Sequence, residues 1–362
     1  MKKVLLSLLG FVPLFAIIAG VNVYVDPANL FRADIMVESV YDITSSGKNA
    51  NNVSDYRDRL FVEKRILDMT AAPENVVLGS SHGAQIDSAI LDGETFNSCV
   101  TGATIEDVAA IYEIYKSTGL LPKRYILSVD TWFFDENKND NRCELYLGEY
   151  YERFVKENVD ESFSVNPSSK NKDHFDFEGL FSLSYFQTSA YHILDGSYVK
   201  FRTGAVPADD NSLSLGMVKV DGSYVYPVSY SCADTDTVNL RAMTARDGVV
   251  TSLRDSGGMS IGKRELFEAL VRSIISDGSE LVIIESPYHP IVYDSVLSEP
   301  LAAKNLLEIE SYLTRFCEKN DIALFGSYNP YALDFGVFNF IDGLHIDYET
   351  TAELLSSINL SA

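Results

Sequence analysis

From residue 75 onward the chain repeats one unit: a short apolar run, a turn, then a stretch with apolar residues at helical spacing. The apolar runs are Val76-Val77-Leu78, residues 125–130 (broken by Ser128 and ended by Asp130), residues 281–284 and residues 322–325. Short runs without polar alternation suit strands buried on both faces, as in a parallel sheet, and the intervening helices are the crossovers such a sheet needs. The expectation is an α/β fold: a three-layer, flavodoxin-like domain with a parallel sheet at its centre. The first run stops at Gly79-Ser80-Ser81-His82. Serines at a strand-to-helix turn lie at the carboxyl end of the sheet, where open α/β folds bind ligands. A helix is expected from about residue 82 to 91.

The rest of the alternation follows the same logic. Thr104 with Glu106 and Asp107 predicts a capped helix to about residue 117, ended by Thr118-Gly119. Residues 263–275, 302–317 and 348–358 read as further helices. Between them, residues 135–257 break the rhythm and read as one insertion or lid, with a hairpin at 218–225 turning on Asp221-Gly222. Residues 45–54 read as a loop and 56–69 as a surface helix.

Upstream, Lys2 and Lys3 precede an apolar run from Val4 to Val25, interrupted by Ser7 and Asn22. About 20 apolar residues span a bilayer, and the cations at the start place the N-terminus in the cytoplasm. Residues 1–27 are therefore expected to be a transmembrane signal-anchor and 28–362 an extracytoplasmic domain. A cleaved signal peptide is the competing reading, though Ile17 fits a cleavage site poorly. The chain of 362 residues carries a formal net charge of −23. That excludes a nucleic-acid partner, which needs a basic face. Cys99, Cys143, Cys232 and Cys317 form no CxxC pair, so neither zinc nor redox chemistry is indicated. No Gly-rich nucleotide loop and no metal signature is present, and no cofactor is expected.

The candidate chemistry lies in four places. Ser81 closes the first strand, and Asn97 with Gly102 follows the second. Asp130 closes the third strand. Asp342-Gly343-Leu344-His345 precedes the last helix. Serine-dependent acyl transfer needs a hydroxyl, an imidazole, a carboxylate to orient it, and oxyanion donors. Asp342 and His345 on one loop can set the carboxylate against Nδ1 while Nε2 faces the serine. His289, at a strand end, is a candidate pocket residue, and His82 reads as a surface position.

This arrangement resembles the SGNH/GDSL hydrolase superfamily. Gly79-Ser80-Ser81 matches its first block, with Ser80 where many members carry Asp. Gly102 matches the second block, and Asp342 to His345 the Asp-x-x-His block. The resemblance implies Ser81 as nucleophile, His345 as base, Asp342 as orienting acid, and the Ser81 and Gly102 N–H groups as oxyanion donors. Many members carry Gly-x-Asn-Asp in the third block, but here that strand ends Ser128-Val129-Asp130-Thr131-Trp132. An ionised Asp cannot donate. Thr131 or the Trp132 indole would have to replace it, or about 3 kcal/mol of transition-state stabilisation is lost. The anchor, the Gly-Ser-Ser form and the insertion look like the branch containing DltD-like proteins and the SGNH proteins that accompany membrane-bound O-acyltransferases. That likeness implies O-acyl transfer or ester hydrolysis on a cell-envelope polysaccharide or teichoic-acid-like polymer. A non-catalytic module that binds glycan or an acyltransferase partner is the alternative, and a plain secreted esterase a third.

Overall fold

The computed structural model describes residues 11–53, 56–138, 140–159, 177–208, 215–356 and 358. The first ten residues, with the two lysines and the start of the apolar run, lie outside them, as does the polar stretch 166–173. The described chain groups into two compact units. One draws on residues 1–61 and 171–220, the other on 62–170 and 221–362.

The second unit is α/β. Its strands are β1 (Asn75–Leu78), β2 (Thr95–Asn97), β3 (Arg124–Val129), β4 (Glu280–Glu285) and β5 (Ala323–Gly326). All four pairings are parallel, and the strand order is 2-1-3-4-5. This doubly wound order reverses direction between β1 and β3, and ligand crevices form outside the carboxyl ends of strands at such a switch point. The helices are α1 (Ile105–Thr118), α2 (Arg142–Asn158), α3 (Thr235–Asp255), α4 (Ile261–Ser276), α5 (Pro290–Ser298), α6 (Pro300–Asn320) and α7 (Tyr348–Leu355). Both faces of the sheet are covered. Val77, Ile126, Val282 and Ile284 face one side and pack with Ile86, Ile90, Leu355 and Ile358. Tyr125 faces the other, edge-on to Tyr112 and Tyr115 of α1 at 5.8 and 6.1 Å. The Thr104 cap forms as a full capping box with Asp107, satisfying two of the helix's orphan N–H groups.

The first unit has an antiparallel sheet with strand Ala50–Val53 between Val206–Pro207 and Gly216–Val218. Residues 50–53, expected as loop, are thus a buried strand: pairing on both edges overrides the weak strand preference of Asn51 and Asn52. Helices Phe177–Phe181, Leu183–Leu194 and Tyr198–Thr203 pack on helix Val12–Val25. That helix is the described part of the expected membrane span. It has 14 residues, and among the described residues no helix is long and apolar enough to cross a membrane.

The segment 135–257 divides along its length. Arg142–Asn158 packs on α1, residues 177–220 belong to the first unit, and residues 221–255 return to the second. The helix expected at 82–91 is a single 3₁₀ turn, Ser81–Gly83, followed by turns. Side chains take the backbone groups a helix would use: Asn97 Nδ2 donates to Gly83 O and Ile86 O at 2.8 and 2.9 Å, and Asp87 Oδ1 accepts from Ala89 and Ile90 N–H, both at 3.0 Å.

Candidate active site

Gly79 ends β1 with φ +137°, and a Cβ there would lie 2.6 Å from Ser128 O on β3. Only glycine permits this turn, because the backbone passes directly against the neighbouring strand. The turn delivers Ser81 to the carboxyl edge of β1, partly exposed. Ser80 is fully buried, and its hydroxyl accepts from the His82 N–H at 3.3 Å. Ser80 is therefore the cap of the turn, and Ser81 is the serine presented.

His345 reaches Ser81 from the other end of the chain. Its Nε2 lies 2.9 Å from Ser81 Oγ. Its Nδ1 lies 3.0 and 2.9 Å from the two Asp342 oxygens. The Asp342-Gly343-Leu344-His345 loop shapes itself: Asp342 Oδ1 accepts from the Leu344 and His345 N–H groups at 2.7 and 2.8 Å. This is the local side-chain bond that makes Asp a turn former. Gln85 Nε2 donates to Ile346 O at 2.8 Å, tying the nucleophile's loop to the histidine's. Burial alone would raise the Asp342 pKa. The hydrogen bond and charge of His345, the Leu344 N–H and the Tyr230 hydroxyl outweigh it and hold the carboxyl well below its ordinary range. An ionised carboxylate at Nδ1 keeps the proton there and leaves Nε2 as an acceptor for the Ser81 hydroxyl.

The residues expected on the oxyanion side are Ser81 and Gly102. Gly102 has φ +58°, and its carbonyl accepts from Arg142 at 3.3 Å. Among the described residues, neither the Ser81 nor the Gly102 N–H has an acceptor. Both supposed replacements for the third-block amide are engaged elsewhere. The Trp132 indole donates to Ala103 O at 2.8 Å, and the Thr131 hydroxyl lies 2.8 Å from the Tyr288 hydroxyl.

Asp130 has a different partner. His82 is buried, not on the surface. Its Nδ1 lies 2.5 Å from Asp130 Oδ1. Neither Asp130 oxygen, nor His82 Nε2, has any other hydrogen-bond partner among the described residues. Desolvation disfavours the imidazolium, but the Asp130 charge and contact, with Asp342 adding, raise the His82 pKa. The His82 ring lies 5.0 Å from that of His345 and 5.5 Å from Trp132. A second imidazole–carboxylate pair thus stands beside the first. A histidine directly after Ser81, with Asp at the end of β3, was the signal for it.

Asn97 and His289 support the site without lining it. Asn97 is buried and braces the loop after Ser81 through the Gly83 and Ile86 carbonyls. His289 is fully buried. Its N–H donates to Gly343 O at 3.1 Å, and its Nδ1 accepts from the Ile291 N–H at 3.1 Å. Burial lowers the His289 pKa against the pull of Asp342, which favours a neutral ring beside the Asp342–His345 loop. Tyrosines that the sequence did not single out lie at the site's edge. The Tyr230 hydroxyl donates to Asp342 Oδ2 at 2.8 Å, and the Tyr226 ring lies 5.6 Å from His345 and stacks on Tyr230. Arg241 sits over the Tyr230 ring at 3.9 Å and donates to Ile341 O at 3.0 Å. Among the described residues no cluster of His, Cys, Asp and Glu is set to hold a metal ion. Compared with models of known protein families the chain matches none, and no curated protein matches it.

Proposed function

We propose that this protein is an SGNH-like serine acyltransferase or esterase of the cell envelope, acting through an acyl-serine intermediate. The observation that carries the reading is the continuous chain Ser81 Oγ–His345 Nε2, His345 Nδ1–Asp342, closed at 2.9 Å at both links. A helix or loop histidine needs one partner, whereas this one holds a serine and an ionised carboxylate on opposite nitrogens.

In the first half-reaction His345 Nε2 takes the Ser81 proton as Oγ attacks the acyl carbonyl. The new C–O bond forms and the oxyanion is received by the Ser81 and Gly102 N–H groups. His345, now charged against Asp342, returns the proton to the leaving group. In the second, His345 takes the proton of an acceptor hydroxyl or of water, which attacks the acyl-serine and frees Ser81. His82, whose pKa the Asp130 carboxylate raises against desolvation by burial, supplies in its protonated form the positive potential that the third-block amide gives in the family this chain resembles. The acceptor class, a cell-envelope polysaccharide or teichoic-acid-like polymer, comes from that resemblance. A membrane-bound O-acyltransferase as partner, and attachment to the membrane by the N-terminal apolar run, belong to the same reading.

The test is release of p-nitrophenol from p-nitrophenyl acetate, with and without a glycan acceptor. Ser81→Ala and His345→Ala are expected to abolish turnover. Turnover that survives both substitutions counts against the reading. The absence of an amide donor at Asp130 favours the alternative, a binding module on the same fold. Glycan binding by wild type with no turnover under any acceptor would favour that module.

A further inference from the structure

Asn22 interrupts the apolar run of helix Val12–Val25 and is fully buried. Its Nδ2 donates to Gly179 O and Leu180 O, each at 3.1 Å, and to Ser182 O at 3.2 Å. These carbonyls stand at the break between Phe177–Phe181 and Leu183–Leu194, where a helix end leaves its last carbonyls without intrahelical donors. Asp26, in the left-handed conformation at the end of Val12–Val25, accepts from the Tyr185 hydroxyl at 2.8 Å and the Phe31 N–H at 3.1 Å, and pairs with Arg32 at 3.4 Å. The polar groups of this cluster are turned inward onto one another.

The outer surface is the reverse. Leu14, Phe15 and Ile17 are exposed on Val12–Val25, and on the helix packed against it Leu183 and Leu194 are 63% and 86% exposed. From Gly179 to Leu194 there is no Asp, Glu, Lys or Arg, in a chain that is 22% charged. At one end of this face the character changes. The Tyr24 and Tyr198 rings meet at 5.9 Å, Arg202 lies over Tyr24 at 4.3 Å, and Lys200 and Arg32 are nearby in sequence. Although the whole chain is strongly acidic, this edge carries Lys200 and Arg202 against Asp195, while Arg32 is turned inward onto Asp26. An apolar face, then tyrosines, then cations is the order of a surface seated at a lipid interface, with the cations matched to headgroup phosphates. Helix Leu183–Leu194, at 12 residues, rises only ~18 Å. It is too short to span and suited to lie in the boundary.

We infer that residues 177–203 are a second bilayer-contacting element, clipped to the N-terminal apolar helix by Asn22, with lipid acyl chains covering their exposed face. This rests on the reading of the apolar run from Val4 to Val25 as a membrane anchor. A charged surface or another protein on this face is the competing outcome.

The test uses the full chain in vesicles of phosphatidylcholine and phosphatidylglycerol, with Cys232→Ser as background and single probes at Leu183→Cys, Leu194→Cys, Ile17→Cys and, as an aqueous reference, Asp247→Cys. An environment-sensitive thiol label is quenched either by doxyl groups on the acyl chains or by iodide. Lipid quenching at Leu183, Leu194 and Ile17, with iodide quenching only at Asp247, is expected. Adding Asn22→Leu is expected to move the Leu194 probe into iodide's reach while Ile17 stays with lipid. Iodide quenching at Leu183 and Leu194 with lipid quenching at Ile17 overturns the inference and leaves the anchor standing. Shielding of both positions from both quenchers overturns it in favour of a protein cover. Iodide quenching at Ile17 overturns the anchor reading itself, and the inference with it.

Discussion

The His82–Asp130 pair makes the sharpest demand on stability. The side chains are 3% and 1% exposed and in ionic contact at 2.5 Å, and no other hydrogen-bond donor among the described residues serves the Asp130 carboxylate. Removing one partner of such a pair leaves an uncompensated buried charge, which costs about 3–5 kcal/mol. Replacing both by apolar groups of similar volume is near neutral, because the desolvation of both ions is relieved together. His82→Leu alone is therefore expected to lower the unfolding free energy by about 3–5 kcal/mol in urea titrations, and His82→Leu with Asp130→Leu to recover most of it. The pH dependence has a defined sign. A histidine whose folded pKa is raised contributes stability that is fully present below its unfolded value of 6.5 and lost as pH rises through the folded value. Wild type should therefore lose stability on the alkaline side of 6.5, and the double variant should lose this component. A single variant costing less than about 1 kcal/mol, with an unchanged pH profile, would refute the ionic assignment.

Three further predictions concern the site and its supports. Asp342→Asn keeps the loop but lets the imidazole take the wrong tautomer, so acylation of Ser81 is expected to slow by about 10⁴-fold in stopped-flow measurements while urea stability changes less. Asn97→Leu strands the Ile86 carbonyl in the interior, while Gly83 O keeps the Ile86 N–H at 3.1 Å. A loss of roughly 1–3 kcal/mol by urea unfolding is expected, the cost of one unsatisfied buried group. Burial, with Glu310 adding, pushes the Glu285 carboxyl from 4.5 up to about 8. It stays protonated in the fold where the unfolded chain has already released its proton, so stability should fall as pH rises from about 4.5 to about 8. Glu285→Gln should flatten that slope, whose full height is at most about 5 kcal/mol; an unchanged slope counts against a neutral Glu285.

The parallel sheet was legible because Val76-Val77-Leu78, Tyr125-Ile126-Leu127 and residues 281–284 are apolar on both faces, a pattern with few other homes. Asp342 and His345 were legible because their spacing on one loop is enough to build an Asp turn. Residues 82–91 misled because helical spacing carries no record of side chains that outbid the backbone, here Asn97 and Asp87. Ala50–Val53 misled for the opposite reason: a strand of Ala-Asn-Asn-Val depends on partners far away in the chain. His82 read as a surface position since nothing local signals that Asp130, on the next strand, lies directly opposite. Tyr226 and Tyr230 were hidden in a segment whose place beside the Asp342 loop is set by tertiary packing alone.

The central claim is that Ser81 is an activated nucleophile. The direct measurement treats the protein with a fluorophosphonate and locates the adduct by peptide mass spectrometry. The account predicts a single adduct on Ser81 that is absent in His345→Ala while Ser80→Ala still labels. A folded wild-type protein that stays unlabelled, or an adduct on Ser80, would contradict it.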